Sequence, residues 1–263
     1  MKKREEIVYF DKEWKEMRTS LKSYLKKEEQ ADLHRFRVQV KKIRAFLTLS
    51  DSTEHHPKLT KYFTPVKRVF KKAGEIRNAY INQELGKTHQ IGNSSFMSNQ
   101  YELQRSASKK FKSKKSEYLE KLKVAHKTIK GKIQSISNVH ISLFYQNQLH
   151  QIAGYLNELK FNDDLHANRK QVKILLYNHK LTHTTLNLSF NEPYMEQVQT
   201  AIGNWHDHIL AMELFSNHQA NDKVITARLK KQHTKLKNQI TNLTKDFYNR
   251  ATTAVDLPVE QLS

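Results

Sequence analysis

The sequence contains no cysteine and only six glycines and four prolines among its 263 residues. Without cysteine the chain can form no disulfide and offers no thiolate to a metal ion. The scarcity of glycine and proline, and of alternating β-branched runs, is typical of a protein that is helical almost throughout. We therefore predict an all-α fold.

Long apolar runs are also absent. No window approaches 18 uncharged apolar residues, and the first residues, Met1-Lys2-Lys3-Arg4-Glu5-Glu6, lead into a charged amphipathic segment rather than an apolar signal core. We therefore expect no membrane insertion and a cytoplasmic location. A content of 37% hydrophobic and 27% charged residues allows one large domain or two small ones.

Acidic residues are few relative to basic ones. The chain has 46 lysines and arginines against 26 aspartates and glutamates, which leaves a net charge of +20. Such an excess favours a polyanionic partner, which would be a nucleic acid, an anionic membrane surface or a phosphate polymer. Charge alone does not choose among these three.

Helical periodicity divides the chain into eight segments. The first four are predicted at about 8–27, 33–49, 64–85 and 101–130, with Asp32 as the N-cap of the second and 86–99 as a connection. The other four begin at about 139, 164, 192 and 222, and the last ends near residue 248. Residues 251–263 are expected to form a frayed tail.

The second predicted helix has a basic face beside an apolar one. At about 100° per residue, its histidine and three of its cations fall within an arc of about 80°. These four residues are His34, Arg37, Lys41 and Arg44. The neighbouring apolar stripe consists of Phe36, Val40, Ile43 and Leu47. Because the two stripes adjoin, the cations are expected to border a groove between packed helices rather than the solvated back of one helix.

The same spacing returns in the second half of the chain. His166, Arg169 and Lys173 repeat the first motif at a displacement of 132 residues, and the segment that begins at Gly74 returns at Gly203, displaced by 129. An internal duplication explains both matches. We predict repeats at about 5–136 and 138–250 that form two four-helix bundles related by pseudo-twofold symmetry. A single irregular eight-helix domain is the alternative.

A histidine followed by regularly spaced cations, present twice in a basic helical chain, resembles the CHAD family, named for its conserved histidine α-helical domain. The likeness spans nearly the whole chain as one domain, and Gly74-Glu75-Ile76-Arg77-Asn78 looks like the family's glycine segment with Asn78 in place of an acid. The resemblance implies binding of inorganic polyphosphate in a basic groove between two helical bundles, association with polyphosphate granules, and neither catalysis nor a cofactor. The chain lacks the Glu-x-Glu-x-Lys motif of the CYTH triphosphatase that sometimes accompanies the family.

The second half departs from the family pattern. Ile174 and Leu176 stand where cations are usual, and Glu196 and Thr200 align with Lys67 and Lys71. We therefore expect the N-terminal half to bind more strongly. The polyphosphate-binding residues expected from the motifs and from the basic helical faces are His34, Arg37, Lys41, Lys42, Arg44, Lys67, Lys71, Arg77, Arg105, Lys109, Lys112, His166, Arg169, Lys173, Lys180, Arg228, Lys231 and Lys235.

Two other functions fit parts of the sequence. Nonspecific binding of RNA or DNA would suit the net charge, although no interleaved aromatic platform accompanies the cations. A metal-dependent phosphohydrolase would use the His206-Asp207 pair, which the repeat instead aligns with Arg77-Asn78. If His34 and His166 lie near a polyanion, their protonated forms are favoured, and affinity should rise as pH falls.

Overall fold

A computed structural model describes residues 1–89, 94–218 and 223–253. These ranges contain ten α-helices, one short 3₁₀-helix at Leu59–Lys61 and no strand, which confirms the all-α prediction. The helices are α1 (Lys3–Lys27), α2 (Gln30–Asp51), α3 (Thr64–His89), α4 (Ser94–Ser113), α5 (Lys115–Lys130), α6 (Asn138–Asn157), α7 (Asp163–Thr182), α8 (Glu192–His218), α9 (Lys223–Thr244) and α10 (Phe247–Thr252). None of these helices has both the length and the apolar character needed to cross a membrane.

Helix α2 buries the apolar stripe that its periodicity predicts. Phe36, Val40, Ile43 and Leu47 are all buried, and Met17 and Leu21 of α1 are fully buried as well. Burial of one such side chain stabilises a fold by about 1.5–3 kcal/mol. The core therefore fixes which face of α2 remains on the surface.

Asp32 is not the N-cap of α2, and that prediction is wrong. The helix begins at Gln30 with Glu29 as its N-cap, so Asp32 lies within the first turn. Its carboxylate accepts a hydrogen bond of 2.6 Å from Ser23 Oγ and pairs with Arg35. The hydrogen bond from Ser23 lowers the pKa of Asp32, and Arg35 lowers it further. Asp32 thus ties the start of α2 to α1.

The helix predicted over 101–130 is two helices, α4 and α5, separated at Lys114. The Lys114 N–H donates to the Phe111 carbonyl at 3.3 Å, which is a tighter turn than the α-helical pattern. Ser113 Oγ donates to the Lys110 carbonyl at 2.9 Å and competes with the helical ladder. The connection predicted at 86–99 is shorter than expected, because α3 continues to His89 and α4 begins at Ser94.

The described residues form two compact units. Unit 1 comprises residues 1–136 and 207–231, and unit 2 comprises 137–206 and 232–253. The predicted repeat boundary near 137 coincides with a unit boundary, but the units are not contiguous in sequence. The C-terminal part of α8 and the N-terminal part of α9 belong to unit 1, where Ala211 and Leu229 are buried and the partly buried Leu85 packs against them.

The last predicted helix, 222–248, also differs in the structure. Helix α9 ends at Thr244, Asp246 has a left-handed φ of 52°, and α10 follows. Phe247 and Ala251 of α10 are buried, so the chain remains packed in unit 2 where fraying was expected to begin. Asp222 and residues 254–263, which hold the predicted helix start and most of the predicted tail, lie outside the described residues.

Candidate functional site

The densest set of predicted site residues lies on α2 and α3 of unit 1. On α2 its residues are three or four apart, and on α3 they lie within an arc of about 120°, so their side chains share one side of each helix. We call the following set the α2/α3 cationic face: His34, Arg37, Lys41 and Arg44 on α2, and Lys67, Lys71 and Arg77 on α3. Arg37 and Arg77 are half-buried, and the other five are exposed.

Arg37 anchors this face by reaching from α2 to α3. Its Nη1 donates a hydrogen bond of 2.8 Å to the Phe70 carbonyl, and its Cζ lies 4.1 Å from the centre of the Phe70 ring. Burial lowers the pKa of Arg37, and the nearby charge of Arg77 lowers it further. A guanidinium has five N–H donors, so one bond to the backbone leaves others for a ligand.

Gly74 makes room for this anchor. A Cβ at Gly74 would lie 2.7 Å from Arg37 Nη1, which is too close for van der Waals contact. Glycine in a helix interior costs about 1 kcal/mol relative to alanine. The cost is offset here by the close approach of the guanidinium to the helix backbone.

The same anchor recurs in unit 2. Arg169 Nε donates 2.8 Å to the Gln199 carbonyl, and a Cβ at Gly203 would lie 2.6 Å from Arg169 Nη2. Phe70 and Gln199 each stand four residues before their glycine. This recurrence of an arginine, a carbonyl and a glycine supports the predicted internal duplication.

The cations of unit 2 are held by an internal polar network. Lys173 Nζ donates 3.2 Å to Gln199 Oε1, and Arg169 Nη2 lies 3.4 Å from the same oxygen. Gln199 Nε2 in turn donates 2.7 Å to Glu196 Oε2. Burial lowers the pKa of Lys173, and the charge of Arg169 adds to that effect. Both cations of the second motif thus already donate to one side chain, that of Gln199.

The two motif histidines have different surroundings. His34 is exposed, whereas His166 is half-buried and stacks on His206 with ring centres 3.9 Å apart. Burial, with smaller effects from His206 and the charge of Lys170, lowers the pKa of His166 to about 4. His166 is consequently neutral at pH 7 in the free chain. A bound polyanion would have to raise this pKa from about 4 to near that pH before His166 became charged.

Lys42 lies away from the α2/α3 cationic face. Its Nζ is 3.4 Å from Glu13 Oε2 on α1, and the Glu13 side chain is only 2% exposed. Lys42 is about 140° around the helix from Arg37, at about 100° per residue. Its role in the free chain is to compensate a buried carboxylate.

The predicted cations of α4 are spread over an exposed face of unit 1. Arg105 lies 3.9 Å from Glu102, and Lys112 pairs with Glu28. Lys109 is exposed and makes neither a hydrogen bond nor an ion pair to any described residue. Two of the three predicted positions thus have an acidic neighbour in the free chain.

The other predicted cations lie on α7 and α9. Arg228 and Lys231 are exposed on the part of α9 that belongs to unit 1, whereas Lys235 is exposed on the part that belongs to unit 2. Lys180 is exposed on α7. Arg77 lies 4.9 Å from the ring of Tyr80 on its own helix.

The arginine anchors were not anticipated from the sequence, although a signal was present. Gly74 and Gly203 are interior to long helices, where glycine is unfavourable. Each also stands at a matched position of the predicted repeat. Two costly glycines at equivalent helical positions indicate a close approach by another group.

The His206-Asp207 pair does not form a recognisable metal cluster. His206 stacks on His166, and Asp207 is exposed. Across residues 1–89, 94–218 and 223–253, no group of three or more histidines and carboxylates is arranged to hold a metal ion.

Comparison with known proteins identifies the fold. No family model matches the chain, and no curated protein matches it. The structure is similar to the crystal structure of the CHAD domain from the plant Ricinus communis, with a TM-score of 0.62 and 13% sequence identity over 96% of this chain and 92% of that one. The chain therefore has a CHAD-like fold, as the motif resemblance predicted.

Proposed function

We propose that the chain binds inorganic polyphosphate through the α2/α3 cationic face, without catalysis. The CHAD-like fold and the motif resemblance support this class of ligand. One observation carries the proposal. The seven positions of the α2/α3 cationic face hold six lysines and arginines, whereas the seven aligned positions of unit 2 hold two cations and one acid, Glu196. Glu75, one turn after Lys71 on α3, is already paired with Lys72.

Polyphosphate suits such a face because it is a repeating anion without base edges. A protein binds a polymer of this kind through many contacts from lysine and arginine rather than through a specific hydrogen-bond code. Arg44 can fork two phosphate oxygens, while Lys67 and Lys71 act as mobile point charges. Arg37 fixes α2 against α3 so that these charges keep their spacing.

Unit 2 contributes less in this proposal. Lys173 and Arg169 already donate to Gln199, so fewer of their N–H donors remain for a phosphate. Glu196 occupies the position of Lys67 and repels an anion. We expect the same ligand to make weaker contacts there. Association with polyphosphate granules would follow from this affinity.

The proposal is tested by competition at physiological salt. A labelled polyphosphate of defined length is bound to the chain, and unlabelled polyphosphate, RNA and ATP are added at matched phosphate concentrations. We expect polyphosphate to displace the label at a lower phosphate concentration than RNA does. If RNA displaces it more effectively, the chain is a nucleic-acid-binding protein and the proposal is wrong.

A further inference from the structure

A cationic cleft, distinct from the α2/α3 cationic face, lies in unit 1 between α1 and α5. Its volume is about 310 Å³. The aromatic and basic side chains that line it are Trp14, Lys15, Arg18, Lys22, Lys123 and His126. None of them belongs to the α2/α3 cationic face, and no motif of the sequence analysis includes them.

The one acid that lines the cleft is already compensated. Asp11 accepts hydrogen bonds of 2.8 Å from His126 Nε2 and 2.7 Å from Lys130 Nζ. Burial alone would raise the pKa of Asp11, but the hydrogen bonds from Lys130 and His126 outweigh it and hold the pKa below its usual value. The negative charge of Asp11 is therefore balanced by these two partners.

The cations of α1 have no such partners. Lys15, Arg18 and Lys22 are exposed, and none makes a hydrogen bond or ion pair to any residue in the described part of the chain. Across the cleft, Lys123 lies 3.8 Å from Glu120, but both side chains are mostly exposed, and such a pair is weak. The cleft thus has a surplus of positive charge in the free chain.

The cleft combines a row of cations on α1 with a buried aromatic side chain beside them. Lys15, Arg18 and Lys22 follow one face of α1 at helical spacing and extend along it for about 10 Å, at 1.5 Å per residue. Trp14 forms an almost fully buried wall beside this row. His126 is held in place by stacking on Phe10, with ring centres 5.5 Å apart and planes 8° apart. An elongated anion with several charges matches this row better than a single phosphate does.

We infer that this cleft binds a short chain of phosphates, supplied either as inorganic oligophosphate or as the triphosphate of a nucleotide. Its volume is at the lower end of the range of about 300–1,000 Å³ typical of small-molecule sites. Arg18 can fork two phosphate oxygens, and the lysines on either side of it supply further charge. The site is separate from the proposed polyphosphate surface and does not depend on it.

Trp14 offers a direct test, because the chain has only two tryptophans. In the Trp205→Phe variant, Trp14 is the sole tryptophan, and its emission is followed during titration with inorganic tripolyphosphate and with ATP. We expect a saturable change. The double variant Arg18→Gln/Lys22→Gln should bind at least tenfold more weakly, and Lys12→Gln/Lys127→Gln should bind as the parent does. The latter removes the same charge from exposed positions of α1 and α5 outside the cleft.

Two results support the inference and identify the source of the phosphates. Equal affinity for tripolyphosphate and ATP means that the phosphate chain alone is recognised, and tighter binding of ATP means that the nucleoside also contributes. Calorimetry on the chain with Trp205 intact repeats the titration in case Trp205→Phe disturbs folding.

The inference is overturned if neither method detects saturable binding, or if both double variants weaken it equally. A Lys41→Gln/Arg44→Gln variant separates this site from the α2/α3 cationic face. If that variant abolishes the Trp14 response, the ligand binds at the α2/α3 face, so the cleft is not a site while the proposed function stands. If polyphosphate binding fails but the Trp14 response persists, the proposed function fails alone.

Discussion

Replacing Gly74 by alanine should destabilise the chain, although glycine to alanine in a helix interior ordinarily stabilises. The added Cβ would lie 2.7 Å from Arg37 Nη1. The contact is with the end of a flexible side chain, so we expect the guanidinium to move away rather than the helices to separate. Arg37 would then lose its bond to the Phe70 carbonyl and its position over the Phe70 ring.

The size of the effect follows from opposing contributions. Alanine gains about 1 kcal/mol of helix propensity over glycine. A hydrogen bond from a charged donor contributes about 1.5 kcal/mol at the lower end of its range, which suits a half-buried guanidinium. The lost cation–π contact adds about 0.5 kcal/mol. We therefore expect Gly74→Ala to lower the free energy of unfolding by about 1 kcal/mol.

A double-mutant cycle isolates the anchor. In an Arg37→Ala background no guanidinium opposes the new methyl group, so Gly74→Ala should stabilise by about 1 kcal/mol, which implies a coupling energy of about 2 kcal/mol. Urea unfolding of all four chains in a Trp205→Phe background measures this, because Trp14 then reports on unit 1. If Gly74→Ala stabilises both backgrounds equally, Arg37 does not hold α2 against α3 through this contact.

Three further predictions concern stability and ionic conditions. Lys42→Met should lower the free energy of unfolding by about 3 kcal/mol, because it leaves the buried Glu13 carboxylate without its cation. Urea denaturation measures this difference, and a loss below about 0.5 kcal/mol would mean that the pair contributes little. Polyphosphate affinity should fall linearly with salt on logarithmic axes, and Lys71→Gln should make that slope shallower; a salt-insensitive binding constant would argue against charge neutralisation. Because the pKa of His166 is about 4 in the native chain and that of an unfolded histidine is about 6.5, the unfolded chain binds the proton first, so stability should decrease as pH falls through this window. His166→Asn should remove part of that decrease in unfolding experiments at several pH values; an unchanged pH profile would contradict the low pKa.

Helical periodicity was sufficient to predict the fold class and the buried face of α2. It worked because Phe36, Val40 and Ile43 recur at helical spacing and have no competing turn residues between them. It missed the break at Lys114, where no glycine or proline interrupts the pattern. That break depends on a serine hydroxyl bonding a carbonyl three residues back, which spacing does not reveal.

The site was predictable only in part, because exposure follows from periodicity whereas pairing does not. A helical projection correctly leaves Lys41 and Arg44 on the surface. The partner of Arg37 is a carbonyl 33 residues away, and that of Lys42 is a carboxylate on α1. Such partners depend on how helices pack.

The central claim, that the α2/α3 cationic face dominates polyphosphate binding, is tested by two variants that remove the same charge. Lys41→Gln/Arg44→Gln alters unit 1, and Lys173→Gln/Lys180→Gln alters unit 2. A cation near a strongly anionic surface contributes about 1 kcal/mol, so the unit 1 variant should weaken binding by about thirtyfold. The unit 2 variant should weaken it by less than about threefold, since Lys173 is already hydrogen-bonded and Glu196 opposes the ligand. Affinity for a polyphosphate of defined length at physiological salt is the measurement, and an equal or larger loss in the unit 2 variant would contradict the claim.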